Sequence, residues 1–405
     1  MSNIKKFKSL NEYEGYRFQD GWDYPSVCWI ENGIGESTIH YNNEFIMRWN
    51  DNDTAKTPTF LGDISRAQFR DWVDNASVPV EVSKNTHIVE DLGGDAVSGH
   101  HSDSSYLQMA EIQNINVGLF EDSRAGTKEV RFNFDHGCPK GFHKWFAHPV
   151  WNQNRSAWVK LISRYNCYYD ANGYMNNQTG QGHTRSNDNY CDWSANDFHA
   201  ANIQTGLMEI TWWEQLVLKY IICAYHGTFD IQSVYQGWTD MDEENCISGL
   251  TDTSYGLNED AHGVDSTTGG YKFMWLENPV HGDGYLWCSG ATNKNSQLYI
   301  TFDDIKASQA AVLSESNADL TFKMLPNNGY IKKINLLGIP TELGASDTTG
   351  FYDYYYSWAS GDTPGCFYAG GDYGDGSYAG AWQLYLNNAF DGTASDFRAR
   401  STFRI

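Results

Sequence analysis

The 405-residue chain contains no run of about 18 or more apolar residues, so no segment is long and apolar enough to cross a membrane as a helix. Its first stretch, MSNIKKFKSLNEYEGYRF, lacks the hydrophobic segment of a signal peptide, which argues against Sec-dependent secretion. Basic residues are scarce: 28 Lys+Arg stand against 51 Asp+Glu, a formal net charge of −23. An excess of that sign repels a phosphate backbone and argues against nucleic-acid binding. The eight cysteines (28, 138, 167, 191, 223, 246, 288, 366) are scattered and form no CxxC pair. That spacing supports neither a zinc ribbon nor a disulfide framework, and the residues read as buried free thiols. Walker A, GxGxxG, GxSxG and HExxH motifs are absent, and no repeat of fixed period is found.

What is present is aromatic. Trp, Tyr and Phe number 15, 26 and 20, and 38 glycines accompany them. This composition reads as a β-rich, loop-rich protein, with 40% hydrophobic residues supplying a sizeable core. Val27–Ile30 and Ser37–Tyr41 read as short strands around a Gly-bearing turn, and a short helix is expected over about Ile64 to Asp74. The polar stretch LGGDAVSGHHSDSS (92–105) reads as a linker or exposed loop. It suggests a small N-terminal module over residues 1–90 and a large domain over 91–405, with the boundary between about 75 and 105.

Further on, Glu129–Phe134 and Leu298–Phe302 read as strands. The clearest helix is Ile210–Tyr225. Thr211 and Glu214 form a capping box, Gly227 is placed to end the helix, and its near-continuous apolarity predicts burial on more than one side.

The C-terminal segment differs from the chain average. Between Lys333 and Arg398 there is no Lys or Arg, and the 63 residues 335–397 hold eight acids, fourteen aromatics and eleven glycines. Tyr and Trp offer large contact area with few rotatable bonds, and Ser, Asn and Gly add adaptable hydrogen bonding. Many of these rings also suit a β core. Alternation along Ala381–Leu386 places Trp382, Leu384 and Leu386 on the core side and Ala381, Gln383 and Tyr385 on the other.

Several motifs resemble a known group. ENPVHGDGYLWCSG (277–290), LGASDTTGFYDYYYS (343–357) and the ending from Tyr368 to Phe403 resemble segments of C-type-lectin-fold proteins related to formylglycine-generating enzymes. GFHKWFAHPVW (141–151) and the helix followed by Tyr225–Ser233 are similar to the subgroup found in phages of gut Bacteroidales. The N-terminal YPSVCWI…STIHYNN resembles the opening module of tail-associated proteins from those phages.

The resemblance implies an α+β, β-rich C-type lectin fold with long loops and a small N-terminal β module. It further implies a virion tail protein, assembled in the bacterial host cytoplasm, that binds a host-surface glycan or protein. The N-terminal module would contact other virion proteins. A homotrimer is implied by analogy with related tail tips, and diversification of the face by a retroelement is known in the group. Carried over, the binding face would use Asp372, Tyr373, Asp375, Tyr378, Gln383, Tyr385, Asn387, Asn388, Phe390 and Asp391, with Arg398 and Arg400 in a structural closing element.

The enzymatic branch of that group needs paired redox cysteines in its C-terminal region, where this chain reads Gly370–Tyr378 without Cys. No enzyme activity and no organic cofactor are therefore expected. A surface-glycan hydrolase would need two carboxylates in one cleft, which sequence cannot select among 51 acids. A structural fibre or decoration subunit is the other alternative. Asp240, Asp242, Glu243 and Glu244 carry the hard oxygens that calcium takes, although their spacing is not that of an EF-hand and a solvated loop is the plain reading. His136, His143 and His148, like His100 and His101, lack zinc spacing and read as structural or surface residues.

Overall fold

A computed structural model describes residues 5–7, 28–30, 43–54, 56–92, 103, 105–122, 124–139, 141–146, 148–169, 173–177, 193–237, 239, 261–264, 270–282, 284–293, 297–300, 320–348, 350–357, 365–372, 374–394 and 396–403. Tyr373, the strand expected at 37–41, the acidic run 240–244 and His100–His101 lie outside the described residues.

Among the described residues the fold is mostly β, an α+β arrangement with three α-helices: α1 (Arg66–Asn75), α2 (Ala195–Thr205) and α3 (Trp212–His226). Three large sheets surround them. In the first, His143–Lys144, Asn116–Asp122, Thr127–Asn133, Glu44–Asn50 and Thr59–Gly62 lie side by side. The second runs from Leu207–Glu209 through Ser401–Phe403, Ala157–Ser163, Tyr106–Gln113 and Ser77–Ser83 to Val89–Asp91. The third has nine strands between Tyr285 and Ala399 and carries the C-terminal tyrosines.

Helix α3 is the axis of the core. The Thr211 side chain accepts from the Glu214 amide, the Glu214 carboxylate accepts from the Thr211 amide, and Gly227 ends the helix at φ 78°. Every residue from Trp212 to Tyr225 is buried, as the unbroken apolarity predicts. Several polar side chains of the helix bond to the elements around it. Trp212 Nε1 donates to Leu337 O (2.8 Å), Tyr220 Oη to Leu336 O (3.0 Å) and Gln215 Nε2 to Pro279 O (2.8 Å). On another side Trp145 Nε1 donates to Glu214 O (2.9 Å), and Glu214 is ion-paired with buried Lys160. Each large side chain buried here stabilises by about 1.5–3 kcal/mol.

Helix α1 starts two residues later than expected because Ser65 is its cap, exchanging hydrogen bonds with Gln68. The domain division requires correction. Strand Ser77–Ser83 pairs along its length with Tyr106–Gln113, and Glu44–Asn50 pairs with Thr127–Asn133. Phe45, Met47 and Trp49 share one core with Trp212, Tyr220 and Trp382. Residues 44–83 are therefore built into the same body as the strands that follow and do not belong to a separate module. The Gly/Ser-rich stretch joins Val89–Asp91 to Tyr106–Gln113 within one sheet.

The chain end locks two distant segments. Arg400 is buried, and its Nη1 donates to Ser163 O (2.6 Å) and Arg164 O (2.9 Å). Its Nη2 donates to Glu277 O (2.6 Å) and Asn166 Oδ1 (3.3 Å). The structural role expected of Arg400 is what it has, and it connects the ENP segment to the closing strands. Cys167, Cys223, Cys288 and Cys366 are buried free thiols and Cys138 is a half-buried one. The ring of His143 packs edge-on against Trp213, and that of His136 against Trp151.

Candidate functional site

In the nine-stranded sheet the strands Tyr285–Asn293, Gly365–Ala369, Leu384–Tyr385, Tyr354–Tyr356 and Gly329–Ile334 are neighbours in that order. The sequence YYY at 354–356 sorts itself by strand period. Tyr355 turns inward, buried, with its hydroxyl donating to Leu325 O at 3.2 Å, whereas Tyr354 and Tyr356 share the opposite face. Neighbouring strands and one 3₁₀ turn (Gly376–Tyr378) extend that pair into an unbroken file of six tyrosines.

Ring centroids are 4.7 Å apart for Tyr378–Tyr354, 5.7 Å for Tyr378–Tyr330 and 5.1 Å for Tyr330–Tyr354. They are 4.8 Å apart for Tyr354–Tyr356, 5.1 Å for Tyr356–Tyr385 and 4.3 Å for the stacked pair Tyr385–Tyr285. These are separations at which aromatic pairs attract. The file descends into the protein. Tyr378 is 41% exposed, the four middle rings are half-buried, and Tyr285 is 5% exposed.

At the deep end stand three carboxyl groups. Tyr285 Oη donates to Asp375 Oδ2 at 2.7 Å, and Gln383 Nε2 donates to the same oxygen at 2.8 Å. Asp372 and Asp396 are close enough to perturb one another, and Asp396 Oδ1 is buried with no hydrogen-bond partner among the described residues. Burial, followed by the charge of Asp375, pushes the Asp372 carboxyl up to about 7, and burial also raises Asp396. Burial and the Asp375 and Asp372 charges raise the Tyr285 phenol, which therefore remains a donor.

The loops bearing these groups are held at both ends. The Gly376 amide donates to Thr239 O (2.7 Å), and Gln232 Nε2 donates to Gly376 O (2.5 Å). The Trp382 amide donates to Asp353 Oδ2 (2.5 Å), a buried carboxyl that burial raises well above its ordinary range. Gly371, at φ 83°, lies against Gln383 and Ala379 where a side chain would collide.

Of the ten residues expected at the face, Asp372, Asp375, Tyr378 and Tyr385 come together. The Asn388 and Asn387 side chains lie close enough to the Tyr385 hydroxyl to oppose the upward shift that burial gives it. Two expectations need correction. Gln383 is fully buried and acts beneath the face by holding Asp375, and Phe390 is buried in a second core that also contains Trp193 and Phe198. The alternation failed at Ala381 and Gln383 because only Leu384–Tyr385 is strand, while Trp382, Leu384 and Leu386 are buried as expected. Asp391 is exposed on the turn after Phe390.

The file also includes Tyr285, Tyr330, Tyr354 and Tyr356, which the sequence reading left off the face. Tyr354 and Tyr356 carried a signal in their two-residue spacing. Tyr285 and Tyr330 carried none, because strand pairing brings them in from upstream. No family model matches the chain, and no curated protein is significantly similar to it.

Proposed function

We propose that this chain is a virion tail adhesin whose tyrosine file binds a host-surface glycan. The observation that carries the reading is the file itself: five partly exposed rings in continuous contact, four on strands of one sheet and Tyr378 on the adjoining turn, with carboxylates at one end. Aromatic faces pack on the C–H faces of sugar rings, while Asp and Asn side chains take hydroxyl hydrogen bonds at the rim. The absence of Lys and Arg from 335–397 favours neutral or cationic glycans over strongly anionic ones.

The C-type lectin fold belongs to the same proposal. It is supported by the closing strands Phe397–Ala399 and Ser401–Phe403, which return to Tyr285–Asn293 and Ala157–Ser163. Attachment to other virion proteins through the N-terminal residues, a homotrimer and diversification of the face complete the reading. Several copies per virion would raise avidity without any new contact.

The test is binding of purified protein to candidate host cells and to their extracted surface polysaccharide. Loss of one anchoring ring from a binding face costs about 1–2 kcal/mol, roughly ten-fold or more in affinity. Tyr330→Ala/Tyr354→Ala/Tyr378→Ala is expected to abolish retention on cells while leaving the melting temperature within a few degrees. Undiminished retention of the triple variant would exclude the file as the binding face, and release of reducing sugar would favour a hydrolase instead.

A further inference from the structure

The second large sheet carries a separate concavity that the tyrosine file does not use. It is a cavity of about 430 Å³, within the range of about 300–1,000 Å³ typical of small-molecule sites. One wall is the turn 84–87 between strands Ser77–Ser83 and Val89–Asp91, with Ser105 beside it. The opposite wall is Tyr174 and the last turn of α2, with Ile203, Gln204 and Gly206.

Both walls are preformed. The Lys84 amide donates to Ser105 O (2.9 Å) and the His87 amide to Ser83 O (2.8 Å). His87 adopts the left-handed region at φ 57° and packs its ring edge against Phe403, with centroids 5.2 Å apart. Across the cavity the Met175 amide donates to Thr205 Oγ1 (2.7 Å), which itself donates to Ala201 O (2.7 Å). Gly206, at φ 78°, ends α2 there.

The lining is unusual for an exposed surface. Tyr174 is 40% exposed and Ile203 55%, two of the few large apolar side chains left open to water among the described residues. Around them stand Asn85, Gln204, Ser105 and Thr205 with Lys84 and His87, and among the described residues no carboxylate lines the cavity. An exposed aromatic side chain beside several hydrogen-bonding groups matches a molecule that is apolar on one side and hydroxylated at its edge.

We infer that this cavity is a second binding site, for a neutral saccharide of one or two rings. The sugar's C–H face packs on Tyr174 and Ile203, and its hydroxyls are taken by Asn85, Gln204 and Ser105. The inference does not depend on the tyrosine file, because none of its residues belongs to it.

The experiment titrates the full chain with maltose, cellobiose, lactose and N,N′-diacetylchitobiose, read by calorimetry and ligand-observed NMR. At least one is expected to bind in the millimolar range or tighter. That affinity should fall about ten-fold or more in Tyr174→Ala and in Gln204→Ala. It should be unchanged in Tyr354→Ala/Tyr378→Ala, which separates this site from the file. Tyr174, Gln204 and Tyr378 are exposed and Tyr354 is half-buried, so an unaltered melting temperature checks that the variants are folded. Absence of binding by all four sugars to about 10 mM would overturn the inference. So would binding that survives Tyr174→Ala and is lost in the file variant.

Discussion

The Tyr285 hydroxyl donates to Asp375 Oδ2 at 2.7 Å, joining the buried end of the tyrosine file to a surface turn ninety residues away. The same oxygen accepts from Gln383 Nε2, so a single carboxylate fixes both the last ring and the loop around it. A hydrogen bond to a charged group contributes about 1.5–3 kcal/mol. Tyr285→Phe is therefore expected to lower the unfolding free energy by about 1–2 kcal/mol in urea denaturation. Asp375→Asn is expected to be costlier, because it removes the charge that both donors address. If Tyr285→Phe unfolds at the parent midpoint, the bond has no role in holding the turn.

The Asp372–Asp396 pair gives the protein a pH dependence of definite sign. The folded carboxyl titrates at about 7 against an ordinary 3.8, so the folded state binds more protons than the unfolded one between those values. The pair's contribution to stability is complete below about pH 4 and is lost as pH rises through 7. Asp396→Asn removes one of the neighbouring buried carboxylates and should flatten the stability profile between pH 5 and 8, as thermal melts across that range would reveal. An unchanged slope would mean that these two carboxyls do not govern stability in that range.

Histidine acts in the opposite direction on the acid side. His281 is buried, with Nε2 facing Tyr235 O at 2.6 Å and Nδ1 facing Tyr271 Oη at 3.3 Å, which suits the neutral ring as donor at Nε2 and acceptor at Nδ1. Burial pushes His281 and His226 down to about 4 from an ordinary 6.5. Stability from these two rings is complete above about 6.5 and is lost as pH falls toward 4. His281→Gln should weaken the acid limb of the profile, and acid-induced unfolding followed by fluorescence would measure it.

Arg400 makes four hydrogen bonds to Ser163, Arg164, Asn166 and Glu277, three of them to backbone carbonyls. Arg400→Met leaves those buried acceptors unsatisfied, at about 1–3 kcal/mol each before relaxation. A loss of at least about 3 kcal/mol is expected, seen as poor soluble yield or a much lower midpoint. Arg400→Lys should recover only part of it, because an ammonium cannot span the same fork.

How much of this could be read in advance depended on the range over which each signal acts. Helix α3 was legible nearly to the residue because Thr211, Glu214 and Gly227 act on their immediate neighbours. Tyr378, Tyr385, Asp372 and Asp375 were legible as a group because composition marks their segment. The positions of Tyr285 and Tyr330 were not, since register between strands far apart in sequence decides them. The boundary near residues 92–105 misled for a related reason: polarity identifies a loop but not whether the strands on either side pair in one sheet. Gln383 misled because a buried amide bonded to Asp375 is indistinguishable in sequence from an exposed one.

Lys219 poses the last test. It lies in the middle of α3, fully buried, with its ammonium 4.3 Å from the Trp212 ring centroid and no hydrogen-bond partner on Nζ. Burial lowers it to about 8 from an ordinary 10.5, with nearby Cys288, Asp353 and Cys223 opposing the shift. The unfolded chain thus holds a proton that the folded chain releases between those values, and stability rises with pH from about 8 to 10.5. Below pH 8 the charged form is held at a cost of about 3 kcal/mol. Lys219→Met keeps the unbranched stem and removes the charge, so it should stabilise the protein by about 1–3 kcal/mol at pH 7 and abolish the alkaline rise. Destabilisation by Lys219→Met at pH 7 would mean that the ammonium is held by a partner in the core and that its burial serves more than packing.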